Sequence, residues 1–388
     1  MSVAVIGAGI AGTAAAYELA RLGERPTVFH QQAGASALYC GALDFEAWDR
    51  AAQLAVVSPE LAQFTAALGG WELGAAAARV ATLEGNLRPA RGRDHALLDL
   101  EPCAGKRVAV IDLERDDWDG PLLARSFACS AWAKQTHTTF EPVRVRALEN
   151  HFERRISAYD FAALHDSPAR LAFLLAAVRS SHATPDAWLF GPWLGIERAV
   201  AAELAASLGV PVGEPTSAPG GSAGARFENA RDRVLSRIAA LERARVVRIE
   251  SSARGFRVET ESAPMREFSA VVLATGGVAA GGVALERSFE RRGGTGFRLS
   301  FAAPVAIELD GEVVEGVSSL SSVDFVERGL GALLKVGIAV TEDGAARGAR
   351  GLFVAGDAVA GRPRTALVAA ESGLAVARRA FEHVRSTG

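Results

Sequence analysis

The segment Gly7-Ala8-Gly9-Ile10-Ala11-Gly12 lies between a short apolar run, Ser2 to Ile6, and an alanine-rich stretch, Thr13 to Leu22. The run reads as a buried strand and the stretch as a helix, so the glycines fall on a strand-to-helix turn. Each has its own task there: Gly7 permits the tight reversal, Gly9 lets main chain approach a diphosphate, and Gly12 lets the helix pack close to the strand. The first N–H groups of the helix then face the anion. Gly7, Gly9, Ile10, Ala11 and Gly12 are therefore expected nucleotide contacts, and the chain is expected to build a parallel α/β sheet around them.

After Gly23, Pro26 to Phe29 reads as the next strand, whose end usually carries an acidic residue for the ribose hydroxyls. His30 stands there instead. A neutral imidazole, or the amides of Gln31 and Gln32, can still donate to and accept from a ribose. Three readings stay open: FAD held differently, a shorter flavin such as FMN, or a site that has lost its ligand.

The 388 residues, 49% hydrophobic and 22% charged, suffice for a sizeable core and suit two domains. A formal net charge of −3 draws the chain neither to nucleic acid nor to an anionic membrane surface. Lysine occurs only at Lys106, Lys134 and Lys335, so arginine supplies nearly all positive charge, and any anionic substrate would meet forked guanidinium donors. Cys40, Cys103 and Cys129 are too far apart in sequence for a zinc site, an iron–sulfur cluster or a disulfide scaffold, so no metal ligands are expected. Electrons leaving a flavin here would need a neighbour. No secretory signal and no membrane span can be read; the longest apolar run, Val271 to Leu285, is broken by glycines. Cytoplasmic residence is expected, with the inner face of the membrane reached only through a partner.

Further strand signals lie far down the chain. Arg245 to Ile249, which holds Val247, and Gly255 to Thr260 alternate as a hairpin, and Ala270 to Thr275 reads as a fully buried strand ended by Gly276-Gly277. Ala274, Thr275 and Gly276 are expected to bring backbone to the adenosine part of the cofactor. Gly351 to Ala355 is the last strand and Gly356-Asp357 its turn, before the helical run Ala366 to Val384. In many FAD proteins an aspartate in this setting bonds the ribityl chain and the following helix aims its partial positive charge at the pyrimidine edge of the flavin, so Asp357, Ala366 and Leu367 are expected contacts. An aspartate that only forms a turn reads the same way.

The expected fold class is α/β: a Rossmann-like FAD-binding domain assembled from discontinuous segments (1–45, 226–298 and 335–388) plus a second α+β cap or substrate domain (46–225 and 299–334). Ala51 to Leu68, Arg170 to Arg179, Gly195 to Leu208 and Arg226 to Glu242 read as helices, and Val108 to Leu113 as a strand.

Several local patterns together resemble the B-subunit family of the anaerobic glycerol-3-phosphate dehydrogenase. They are Ser36-Ala37-Leu38 followed by Gly41-Ala42-Leu43-Asp44; Thr82, Gly85 and Arg88-Pro89; Gly209-Val210-Pro211 with Glu214-Pro215-Thr216 and Gly224-Ala225-Arg226; Ala274 to Gly277; and Val283 to Arg287. That family also tends to lack the acid after its second strand. The chain departs from it between Leu38 and Gly41, around Thr82, and at Arg362 to Leu367, where the family has a glycine-rich helix start. The resemblance implies a flavoprotein subunit working beside a second flavoprotein subunit and an iron–sulfur subunit, oxidising glycerol 3-phosphate or a related small hydroxy or amino acid. Ser36, Gly41, Ala42 and Leu43 join the expected cofactor contacts on this basis, with Val247 on the later strand.

Oxidising a secondary alcohol needs a hydride acceptor, a base and, for a phosphorylated substrate, arginines. Arg88 and Arg226 are the candidates for anion or flavin contact; a surface or helix-capping arginine is the competing reading. No histidine among His95, His137, His151, His165 and His182 sits in a motif that selects a base. Trp188 and Trp193 bracket a turn and read as domain packing. Arg287, Arg291 and Arg292 read as a solvated face or a patch for an acidic partner. A subunit that keeps the fold but only relays electrons, and a stand-alone oxidase, are the alternative functions.

Overall fold

The computed structural model describes residues 2–31, 33–46, 56–287, 295–314 and 331–387. Ala51 to Ala55 of one expected helix, and Arg291 and Arg292, lie outside them, as does Gln32.

The chain divides into two compact units, Met1–Ser36 with Val57–Leu68 and Arg231–Gly388, and Ala37–Val56 with Gly69–Ala230. The first is built on five parallel strands: β1 (Val3–Ile6), β2 (Thr27–His30), β3 (Ala240–Arg243), β4 (Ala270–Leu273) and β5 (Leu352–Val354). Their order across the sheet is β3-β2-β1-β4-β5. This is the doubly wound arrangement, in which the direction of strand addition reverses beside β1. β1 and β4 read as unbroken apolar runs because both faces are covered. Ala4, Ile6, Val271 and Leu273 pack on an antiparallel sheet of Val246–Ser252, Gly255–Thr260 and Ala263–Phe268. The opposite face lies under α1 (Ile10–Arg21) and the C-terminal helix Ala366–Thr387, which pack on each other.

Helix–helix contact is close because it runs over small residues. A Cβ on Gly373 would stand 2.1 Å from Ala11 O. Glu18, fully buried, ties the pair by accepting from Arg21 and from Arg378 Nε at 2.7 Å, and Arg378 also reaches Glu60 of the helix Pro59–Leu68.

The boundaries differ from the expected ones in definite ways. Residues 299–314 fall in the first unit because Ile307–Leu309 pairs with Gly337–Ile338 and Ala302 bridges Arg248. Ala42–Leu43 falls in the other unit, paired with Gly92–Asp94. The helix expected to run from Arg226 to Glu242 occupies Ser222–Ile238, and its expected last turn is strand β3. The helix expected from Gly195 begins at Val200.

The second unit has a parallel sheet of its own. Arg107–Asp112, Thr139–Arg144, Ala187–Leu189 and Val212–Gly213 pair with helices between them, Arg107–Asp112 lying between Ala187–Leu189 and Thr139–Arg144. Its core gathers Trp118, Phe127, Phe161, Trp188 and Trp193. Trp193 meets Trp118 edge-on at 5.2 Å, so the tryptophan-flanked turn packs the interior. Among the described residues no single helix is long and apolar enough to cross a membrane; one bent pair, Ala158–Leu164 with Pro168–Arg179, passes on length and composition together.

Candidate functional site

The glycine turn is fixed by backbone contacts. Gly7 leaves β1 with φ +107°, its N–H donates to Phe29 O at 2.8 Å, and a Cβ on it would stand 2.3 Å from Ala274 O. A Cβ on Gly12 would stand 1.9 Å from Gly7 O. Both positions accept glycine alone without moving main chain. Gly9 is different: its φ is −71° and the nearest atom to an added Cβ is Ser36 Oγ at 2.9 Å. The space in front of Gly9 is thus bounded by a side chain.

At the helix start Ile10 N donates to Ser36 Oγ at 2.9 Å, and Thr13 N to Gly9 O. The N–H groups of Ala11 and Gly12 have no protein acceptor among the described residues. Two orphan amides and a hydroxyl over a glycine loop are the donor set that a diphosphate needs. They stand at the carboxyl end of β1, where the strand order reverses and ligands of such sheets bind.

His30 ends β2 beside Arg243 of β3, its register partner. Burial pushes the imidazole pKa down, Arg231 and Arg243 add to this, and Asp232 opposes it. A neutral ring results at neutral pH, able to give and take a hydrogen bond. Gln31 follows it on the surface.

Across β4, Ala274 N donates to Ile6 O, and Ala274-Thr275-Gly276 follows the strand end as expected. The turn after β5 comes to the same place: Gly356 has φ +64°, and a Cβ on it would lie 2.7 Å from Ala11 Cβ. The N–H of Gly356 donates to Ser372 Oγ at 3.1 Å. Asp357 follows, half-buried, its carboxylate without a hydrogen-bond partner among the described residues. Burial pushes its pKa up, and Arg364 pulls it back. Ala366 and Leu367 open the C-terminal helix, Leu367 fully buried. Within one unit the structure thus joins the first glycine loop and the last strand's turn.

Other expected contacts have different surroundings. Val247 lies at a bulge, and its carbonyl accepts from Ala302 N at 2.9 Å. Gly41, Ala42 and Leu43 belong to the second unit, where Gly41, at φ +101°, is held against Leu97 and its carbonyl accepts from Asp94 N.

Both candidate arginines pair with carboxylates of the second unit. Arg226 is buried between two carboxylates, Asp94 at 2.9 Å and Glu214 at 2.7 Å, and also donates to Gly195 O. Burial opposes its charge, but the two carboxylates outweigh it and its pKa is raised. Arg88 donates to Asp44 at 2.9 Å and to Pro89 O. Both hold the second unit together through buried ion pairs. Arg226 spends donors on both carboxylates and a carbonyl, while both hydrogen bonds of Arg88 come from Nη1; sequence spacing gave no sign of these pairings.

No protein-family model matches the chain, and no curated protein matches it. Solved structures align along nearly its whole length with little identity. Glycine oxidase from Geobacillus kaustophilus is 16% identical, covering 98% of this chain and 94% of its own, with a TM-score of 0.34. The GidA-related protein from Thermus thermophilus is 12% identical, with 98% of each chain covered and a TM-score of 0.34. Thioredoxin reductase from T. acidophilum is 14% identical, covering 98% and 97%, with a TM-score of 0.25. At these scores the likeness is too loose to carry any of their chemistry to this chain, whose α/β fold stands on its own strand pairing.

Proposed function

We propose that the chain is a flavin-dependent oxidoreductase that holds FAD along the first unit, the diphosphate at Gly9, Ala11 and Gly12, the ribose near His30, and the ribityl chain near Asp357. The observation that carries this reading is the meeting of the Gly356-Asp357 turn with Ala11 of the glycine loop, at the carboxyl edge of a β3-β2-β1-β4-β5 sheet. The residues present fit the group: orphan amides suit a diphosphate, and an unpartnered carboxylate suits sugar hydroxyls. When bound, the flavin supplies a two-electron acceptor for hydride.

The sequence patterns favour a dehydrogenase subunit acting on glycerol 3-phosphate or a related small hydroxy or amino acid. Such a subunit would pass electrons to a second flavoprotein and an iron–sulfur subunit, in keeping with a chain whose own cysteines are scattered. Retention of Arg88 and Arg226 in internal ion pairs favours a second reading, an electron-relaying subunit that turns over no substrate itself.

Heat release of any cofactor from the purified chain, followed by chromatography, tests the reading. FAD in near-stoichiometric amount is expected. FMN would move the assignment to the shorter flavin, and a colourless chain that takes up neither would refute it.

A further inference from the structure

Arg226 is enclosed by carboxylates and Arg88 is tied to Asp44, both in the second unit; in the first unit, one arginine has donors for an anion. Arg364 lies on the loop between Asp357 and the C-terminal helix and is half-buried. Its Nη2 donates to Val336 O at 2.6 Å. Among the described residues, neither Nε, which is sealed from solvent, nor Nη1 has a partner. No ion pair joins Arg364 to Asp357, although the carboxylate acts on it through space.

The guanidinium lies against the loop after β4. A Cβ on Gly277, just past the end of β4, would stand 2.7 Å from Nη1, 2.8 Å from Cζ and 2.8 Å from Asp357 O. Asp357 main chain on one side and the guanidinium on the other leave little room there for anything but glycine. Among the described residues, Thr275 Oγ1, just past β4, and Thr365 Oγ1, next to Arg364 in the chain, are also buried without partners. Buried polar groups are nearly always satisfied, and each one that is not raises the free energy of the protein as it stands. A half-buried cation with unfilled donors is stabilised by a ligand that brings oxygen acceptors and negative charge.

We propose that Arg364 is the anion-binding residue of this site, taking a carboxylate or phosphate oxygen of a ligand seated at the carboxyl edge of β4 and β5. The proposal rests on the reading of that edge as the flavin and substrate site. Its anion has two sources, the acid group of the substrate and the phosphates of the cofactor, and one experiment separates them. The full chain, stripped of cofactor, is titrated calorimetrically with FAD, and the FAD-loaded chain with glycerol 3-phosphate, glycolate and inorganic phosphate. Wild type, Arg364→Met, Arg364→Lys and, as a control on an exposed neighbour, Arg362→Met are compared, with unfolding midpoints recorded for each.

Arg364→Met is expected to weaken one class of ligand by about tenfold to a hundredfold. Arg364→Lys should fall between, since it keeps the charge but loses the fork. Arg362→Met should match wild type. Loss confined to the small acids places the anion on the substrate, and loss of FAD places it on the cofactor; a fall in unfolding midpoint with both affinities intact would make Arg364 a tie for Val336 and overturn the proposal. Equal affinities in wild type and Arg364→Met overturn it too, and leave the flavin reading standing. A wild type that takes up no flavin refutes that reading, and the proposal is then decided by titrating the stripped chain with the small acids: binding lost in Arg364→Met supports it, and no binding, or binding unchanged in the variant, overturns it.

Discussion

The imidazole of His165 shows what burial does to one titratable group here. It is fully buried in the second unit, its Nδ1 is 2.9 Å from Trp193 O, and Phe161 meets it edge-on at 4.7 Å. Burial pushes its pKa down to about 4, the carbonyl contact opposing and Arg170 assisting. The folded chain thus holds it neutral, while the unfolded chain binds a proton below about 6.5. Its contribution is complete above that pH and is lost as pH falls toward 4, because the unfolded state takes up the proton first. The full effect is about 3 kcal/mol. Urea unfolding across pH 7 to 4 should show a shallower decline for His165→Gln than for wild type; identical slopes would mean that the ring is protonated in the fold. His165 also illustrates what sequence hides: nothing in its neighbours in the chain distinguishes it from exposed His137. The same holds for Arg226, whose partners Asp94 and Glu214 come from distant segments. Gly7 and Gly12 were legible, because the constraint on them is local to one turn.

Elements were readable where a compact apolar run or a glycine turn marked their ends. β1, β2, β4 and β5, and the helices that begin at Ile10 and Ala366, lie within a few residues of where their patterns place them. β3 was not readable: Ala240–Arg243 is a partly exposed edge strand with no unbroken apolar run, and its residues continue the helical pattern before it. The second parallel sheet escaped notice because Ala187–Leu189 and Val212–Gly213 are too short to show a period. Packing between α1 and the C-terminal helix is the element-scale consequence that is easiest to test. Gly373→Ala puts a Cβ 2.1 Å from Ala11 O and 3.1 Å from Ala14 Cβ, so the helices must part. A loss of about 1–3 kcal/mol is expected, overpacking outweighing the better helix propensity of alanine. A calorimetric unfolding midpoint equal to or above that of wild type would show that the helices do not meet as described.

At the scale of the whole molecule, the account depends on one unit assembled from the two ends of the chain, in which β1 and β5 deliver the glycine loop and Asp357 to a common edge. Such discontinuity was legible in outline from the distribution of strand signals, but the border residues follow strand pairing between distant segments and could not be placed from sequence. The central claim is that this edge grips the diphosphate of a flavin dinucleotide. Gly9→Val tests it most directly, since position 9 has φ −71° and only Ser36 Oγ in the way, so the variant should fold. The branched side chain fills the approach to the orphan amides. In a fluorescence titration of apoprotein, wild type should quench FAD and the variant should bind it at least about 30-fold more weakly, a loss of about 2 kcal/mol from charge-assisted hydrogen bonds, with an unchanged circular dichroism spectrum. Equal FAD affinity in the two folded proteins, or no FAD binding by wild type, would contradict the account.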